Sequence, residues 1–153
     1  MKKKILIDLD VLTVALWDSK KEAIEFLARV KKGEFDVYTP HTLLDLLANW
    51  KHDKLKNEIK EFYRLYTKEN LTSQKILEGF EKFKVEKHSI VDSLVKVGVK
   101  REDATLAIIV SIFDIDLLVT YNRKHLKNKI KEINEVLSKN GLKEINISLP
   151  DEV

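Results

Sequence analysis

Two aspartates stand just past a short apolar run near the start of the chain, Asp8 and Asp10. The run before them, Ile5-Leu6-Ile7, has the β-branched, uninterrupted character of a buried strand. An unpaired carboxylate inside such a strand is costly, so Asp8 should stand where the strand ends and the sheet opens to solvent. In a parallel sheet that carboxyl edge is where ligands bind. Other polar residues fall at the same edge. His41 and Asp45 occupy the first turns of a helix after the second strand, and Thr120 and Asn122 end the third. Asp103 lies in the first turn of an apolar helix, from which it could point back to that edge. Carboxylates gathered in one pocket repel one another, by about 4 kcal/mol for a pair 4 Å apart at an intermediate dielectric. Without a cation, some of them should take up protons. Hard oxygen ligands of this kind suit Mg²⁺ or Mn²⁺, ions that activate water and stabilise the oxygens of an in-line attack on a phosphodiester.

The elements that would hold these residues alternate. A strand over residues 4–8 precedes a short helix over 11–17. A second helix is expected to be capped by Asp18 or Ser19, to carry Ala23, Phe26, Leu27 and Val30 at helical spacing, and to stop at Gly33. Residues 35–39 read as a strand ended by Pro40, and the following helix carries Leu43, Leu46, Leu47 and Trp50 on one face. Residues 51–68 read as one charged helix with the stripe Leu55, Ile59, Phe62 and Leu65. Two more helices are expected over 73–84 and 86–97, and a nearly all-apolar one from Arg101 to Phe113 should be central to the core. Residues 115–120 read as a third strand, 123–139 as a helix and 145–148 as a last strand. Strands alternating with helices predict an α/β architecture, a mostly parallel sheet joined by right-handed crossovers. Asp114 and Asp116 lie at the wrong end of their strand for the site and read as turn residues.

The bulk composition narrows the class. At 153 residues the chain is long enough for one domain and one substantial core. With 35% charged and 44% hydrophobic residues it reads as globular rather than disordered. A net charge of +3 does not by itself argue for nucleic acid. The absence of cysteine excludes disulfides and thiolate metal sites, and the four histidines show no zinc-like spacing. No signal peptide or membrane span is legible, so a soluble, cytoplasmic protein is expected. Trp17 and Trp50 read as core or interface residues rather than base-stacking platforms.

Four segments, in order, resemble the PIN-domain family of ribonucleases, which includes the VapC-type toxins of toxin–antitoxin pairs. Ile5-Leu6-Ile7-Asp8-Leu9-Asp10-Val11-Leu12 is similar to the family's opening strand, and Asp8 takes the place of its first acid. Thr39-Pro40-His41-Thr42-Leu43-Leu44-Asp45-Leu46 resembles the segment carrying the second acid, with Asp45 in that place. Arg101-Glu102-Asp103-Ala104 resembles the Asp-Ala helix, making Asp103 the third. Leu117-Leu118-Val119-Thr120-Tyr121-Asn122-Arg123-Lys124-His125-Leu126 looks most like the family, at its last strand and turn, where Thr120 and Asn122 fall on functional polar positions. The resemblance covers nearly all of residues 1–153 as a single domain. It implies a PIN-like three-layer fold with an enlarged helical segment over 51–97, and metal-dependent cleavage of single-stranded RNA. Asp8, Asp45 and Asp103 would hold Mg²⁺ or Mn²⁺, with Asn122 as ligand or water-orienting group and Thr120 positioning an acid or a phosphate oxygen. Arg123 and Lys124 would follow the RNA backbone. A homodimer and an antitoxin partner are implied as well. Asp45 stands where the family usually has Glu, and Asp10 where Asn or Ser is common.

Simpler roles exist for each residue. Asp8 could cap a helix, Asp103 could serve a helix dipole, Asp45 could face solvent, and Asn122 could make a turn. Two other functions fit parts of the pattern. One is a PIN-like RNA- or protein-binding module with a weakened acid set. The other is a phosphatase of the haloacid-dehalogenase type using Asp8 and Asp10, which would need a pair of acids that only Asp151-Glu152 could supply after Thr120.

Overall fold

Ile5, Leu6 and Ile7 have no solvent-accessible surface, because they form the middle strand of a sheet covered on both faces. The computed structural model describes all of residues 1–153. In chain order the elements are β1 (Lys3–Ile7), α1 (Leu9–Leu16), α2 (Lys21–Lys31), β2 (Phe35–Pro40), α3 (His41–Ala48), α4 (Asp53–Tyr66), β3 (Thr67–Leu71), α5 (Ser73–Lys82), α6 (Lys87–Lys96), α7 (Arg101–Ile112), β4 (Leu117–Val119), α8 (Ile130–Lys139) and β5 (Ile147–Ser148). The sheet order is β3-β2-β1-β4-β5, and every neighbouring pair is parallel. The chain leaves β1 on one side for β2 and β3, then crosses to the other side for β4 and β5. The reversal between β1 and β4 is a topological switch point, where a crevice opens at the carboxyl edge.

In such a sheet the helices run against the strands, so the helices that follow strands begin at the carboxyl edge. That brings the first turn of α1, with Asp10, to the same rim as the end of β1. The rim also receives the first turn of α7, whose C-terminal end leads into β4. Helix α7 is buried along Ala104, Leu106, Ala107, Ile108, Ile109, Val110 and Ile112. A helix apolar on all sides belongs inside the core, and this one anchors Asp103 rigidly. No helix is long and apolar enough to cross a membrane.

Several elements depart from the sequence expectations. The segment 51–97 is not wholly helical: Thr67–Leu71 adds an edge strand to the sheet. Its Lys68 and Glu69 pair with Asp36 and Lys75 at 3.2 Å and 2.8 Å, the charged character by which edge strands resist aggregation and which hides them from hydrophobic pattern reading. The stripe of α4 buries Leu55, Ile59, Phe62 and Tyr63, and Leu65 is 54% exposed. Neither Asp18 nor Ser19 caps α2: Lys20 holds the cap position with no side-chain bond. The helix expected from 123 begins only at Ile130. The side chains of Thr120 and Asn122 take the backbone N–H groups of Asn122 and His125 at 3.0 Å each, and such local bonds compete with helix formation.

Candidate active site at the sheet's switch point

Register brings the first two polar groups together. Ile7 pairs with Val119 across β1 and β4, and the Asp8 N–H donates to the Val119 carbonyl at 2.9 Å. The next residue on each chain, Asp8 and Thr120, therefore lie side by side. Thr120, fully buried, donates its hydroxyl to Asp8 Oδ2 at 2.8 Å. The other oxygen, Asp8 Oδ1, accepts the Leu9 N–H at 2.8 Å, so Asp8 caps α1 as well as facing the crevice. On the sheet side, Tyr63 of α4 donates its hydroxyl to the Ile7 carbonyl at 2.8 Å, just behind Asp8. Tyr63 lies one residue past Phe62, outside the expected stripe, and takes the buried place expected of Leu65.

Asp10 shares this cluster. Its two oxygens accept the Tyr121 N–H at 3.2 Å each, and they approach Thr120 Oγ1 at 3.2 Å and 3.4 Å. A hydroxyl has one proton to give. With that proton on Asp8 and the Thr120 oxygen also accepting from Asn122, the contact with Asp10 needs a proton on the Asp10 carboxyl. Burial, and then the charge of Asp8, pushes Asp10 up to about 7, the direction that favours such a proton. Burial raises Asp8 too, against the Thr120 hydroxyl and the Leu9 N–H.

Asp103 completes the group from the opposite wall. It is 9% exposed, and its Oδ2 accepts the Asn122 Nδ2–H at 2.9 Å. The Asn122 amide is oriented by its other end, because Oδ1 accepts the His125 N–H. Burial, and then Asp8, pushes Asp103 up to about 6, opposed by His125 and Asn122. No lysine or arginine is among the groups that lower Asp8, Asp10 or Asp103. All three line one cavity of about 480 Å³ with Asn122 and Glu102. Its remaining wall is apolar, formed by Leu9, Val14, Leu46 and Trp50, and Lys100 joins it from the residue before α7.

Asp45 is not part of this group. Leu43 and Leu47 turn the inner face of α3 into the core, which leaves Asp45 on the outer face. Its side chain is 73% exposed, and Oδ2 stands 3.4 Å from His41 Nε2; it does not line the cavity. The set Asp8, Asp45 and Asp103 is thus not assembled here, and no three or more His, Asp or Glu side chains form a cage around one point. Mg²⁺ needs no such cage, since it keeps several waters and binds through one or two carboxylates plus substrate phosphates. Buried acids that repel one another and have no lysine or arginine paired to them fit an ion held in that way. Arg123 and Lys124 are exposed in the turn after Asn122. The acids needed by a dehalogenase-type phosphatase lie elsewhere: Glu152 Oε1 accepts the Leu149 N–H at 2.7 Å and pairs with Lys127, and neither Asp151 nor Glu152 lines the cavity. Asp114 and Asp116 serve the structure at their own end of β4, where Asp114 pairs with Lys143 and Asp116 Oδ2 accepts the Lys4 N–H at 2.8 Å.

The sequence matches no known protein family and no curated protein. In three dimensions the chain is similar to a chain in the crystal structure of VapBC2 from Rickettsia felis bound to a DNA fragment from their promoter. The TM-score is 0.62 at 11% sequence identity, over 95% of this chain and 98% of that one. At that identity the likeness shows the fold, a PIN-like parallel sheet flanked by helices.

Proposed function

We propose that the protein is a metal-dependent endoribonuclease that cleaves phosphodiester bonds in single-stranded RNA. The observation that carries this reading is the meeting of Asp8, Asp10 and Asp103 in one cavity at the switch point, with no lysine or arginine paired to any of them. Asp8 and Asp103 would hold Mg²⁺ or Mn²⁺, which supplies an activated water and a counter-charge for the oxygens of an in-line displacement. The Thr120 hydroxyl fixes one Asp8 oxygen, and the Asn122 amide fixes one Asp103 oxygen, so both carboxylates are aimed before substrate arrives. Asp10, raised by burial and by the charge of Asp8, holds a proton more readily than an ordinary carboxyl and so lessens the negative charge beside Asp8. Arg123 and Lys124 receive the phosphates flanking the site. The products would end in 5′-phosphate and 3′-hydroxyl groups. The neighbouring structure contains VapBC2 on promoter DNA, and a cytoplasmic toxin working as a homodimer, restrained by an antitoxin, is the biological setting we assign.

The test is cleavage of single-stranded RNA with Mn²⁺ by wild type, Asp8→Asn and Asp103→Asn. Each substitution should lower the rate on the order of a hundredfold, the scale of single groups that act on developing charge, with circular dichroism unchanged. Equal rates in all three would remove these residues from the mechanism. A second reading, an RNA- or protein-binding module with a weakened acid set, is favoured by the outward position of Asp45. Mn²⁺ titration separates the two, since a working site binds Mn²⁺ in competition with Mg²⁺ and a decayed one does not.

A further inference from the structure

The cavity has two unlike halves. One is acidic; the other is formed by Leu9, Val14, Leu46 and the indole of Trp50, which packs against the core while facing the cavity. A metal and a phosphate use only the acidic half. At about 480 Å³ the space is of the size of small-molecule sites, ~300–1,000 Å³, and much larger than an ion needs. The polar groups of the apolar half are few. Thr13 lines it too, and its hydroxyl proton goes to the Leu9 carbonyl at 3.0 Å, which leaves its oxygen as an acceptor only. Lys100, exposed at the start of α7, lines the same cavity.

We propose that the apolar half is a nucleobase subsite, in which one unpaired base of the RNA stacks on Trp50 while its phosphate lies between Lys100 and the acidic residues. This rests on the nuclease reading and assigns the contact that selects single strands. A nucleic acid presents one flat, apolar-faced group next to each phosphate, and an aromatic wall adjoining a phosphate site is complementary to that pair. A base held in a duplex has both faces stacked and must be extruded to reach such a wall. Stacking accepts every base, because each has a π-face. With only the indole N–H to donate and the Thr13 oxygen to accept in the apolar half, the subsite reads the presence of a base more than its identity.

The two tryptophans make the test direct. Trp17 lies in a separate cavity with Leu16, His52 and Leu55, so Trp17→Phe leaves Trp50 as the sole tryptophan. In a Trp17→Phe/Asp8→Asn protein, which binds without cutting, a single-stranded oligoribonucleotide should quench Trp50 emission saturably. An abasic strand of equal length and the same sequence in a duplex should bind about tenfold more weakly and leave the emission unchanged. In the active protein, Trp50→Leu keeps an apolar wall and should raise KM about tenfold, within the range of one lost base–aromatic stack, with kcat changed less than about threefold. Silent Trp50 emission while anisotropy shows the strand bound would overturn the subsite and leave the nuclease standing. So would a Trp50→Leu protein with wild-type KM. Loss of the nuclease reading has a separate signature, RNA cleavage equal in wild type and Asp8→Asn.

Discussion

Asn122 does two jobs with one amide: its oxygen closes the turn at His125 and its nitrogen aims Asp103. Asn122→Ala should therefore weaken Mn²⁺ binding about 10- to 100-fold, the usual cost of losing a group that orients a ligand, as read by calorimetric titration. Asp45→Ala should change the cleavage rate less than about threefold; a loss equal to that of Asp103→Asn would return Asp45 to the mechanism. Tyr63→Phe removes the donor to the Ile7 carbonyl and should cost about 1–3 kcal/mol in urea unfolding, the penalty of an unsatisfied buried acceptor. At this scale the sequence was informative where chemistry and strand ends coincide. Asp8, Asp103, Thr120 and Asn122 were all marked, and the structure brings those four together. Asp45 was drawn in by its motif, although the leucine spacing of its own helix turns it outward. Asp10 stands outside the expected metal set, and neither spacing nor charge reveals that a threonine 110 positions away meets it.

Between the elements, Gly98 sets the direction in which α7 starts. Its φ is +103°, and a Cβ there would stand 2.9 Å from Lys129 Cε. Its carbonyl also lies 3.0 Å from His125 Nδ1, joining this turn to the one that holds Asn122. Gly98→Ala should destabilise the protein by about 1–2 kcal/mol. Adding Lys129→Ala relieves the contact and not the backbone strain, so it should restore only part of the loss; full recovery in thermal melts would show that φ is immaterial here. The long apolar helix and the central strands were legible because burial on every side leaves an unbroken apolar run. β3 was not, since an edge strand of alternating exposure built from Thr-Lys-Glu-Asn-Leu looks like the end of the charged helix before it. Residues 123–129 read as helix for a different reason: the side-chain bonds that hold Asn122 and His125 in a turn leave the charged, helix-like composition after them unchanged.

For the whole molecule, the crowded carboxyls couple folding to pH. Asp10 and Asp103 are pushed up to about 7 and about 6, from an ordinary value of 3.8. Between these limits the folded chain holds protons that the unfolded chain has released, so stability falls as pH rises from about 4 to about 7. Carboxyls shifted the other way, such as Glu61, Glu69 and Asp114, lie at the surface and are screened. The metal-free protein should melt at a lower temperature at pH 8 than at pH 5. Asp10→Asn should flatten that slope, and millimolar Mn²⁺ should raise the pH 8 value by mass action. A melting temperature that climbs with pH would contradict the crowding. One further consequence follows from the pairing of β1 with β4. In a growing polypeptide the acid that ends β1 has no neighbour across the crevice until more than a hundred further residues have left the ribosome and the fourth strand has docked. On the proposed function, a chain that stops short of the fourth strand lacks the groups that aim its acids, and it should neither bind the cation tightly nor cut RNA.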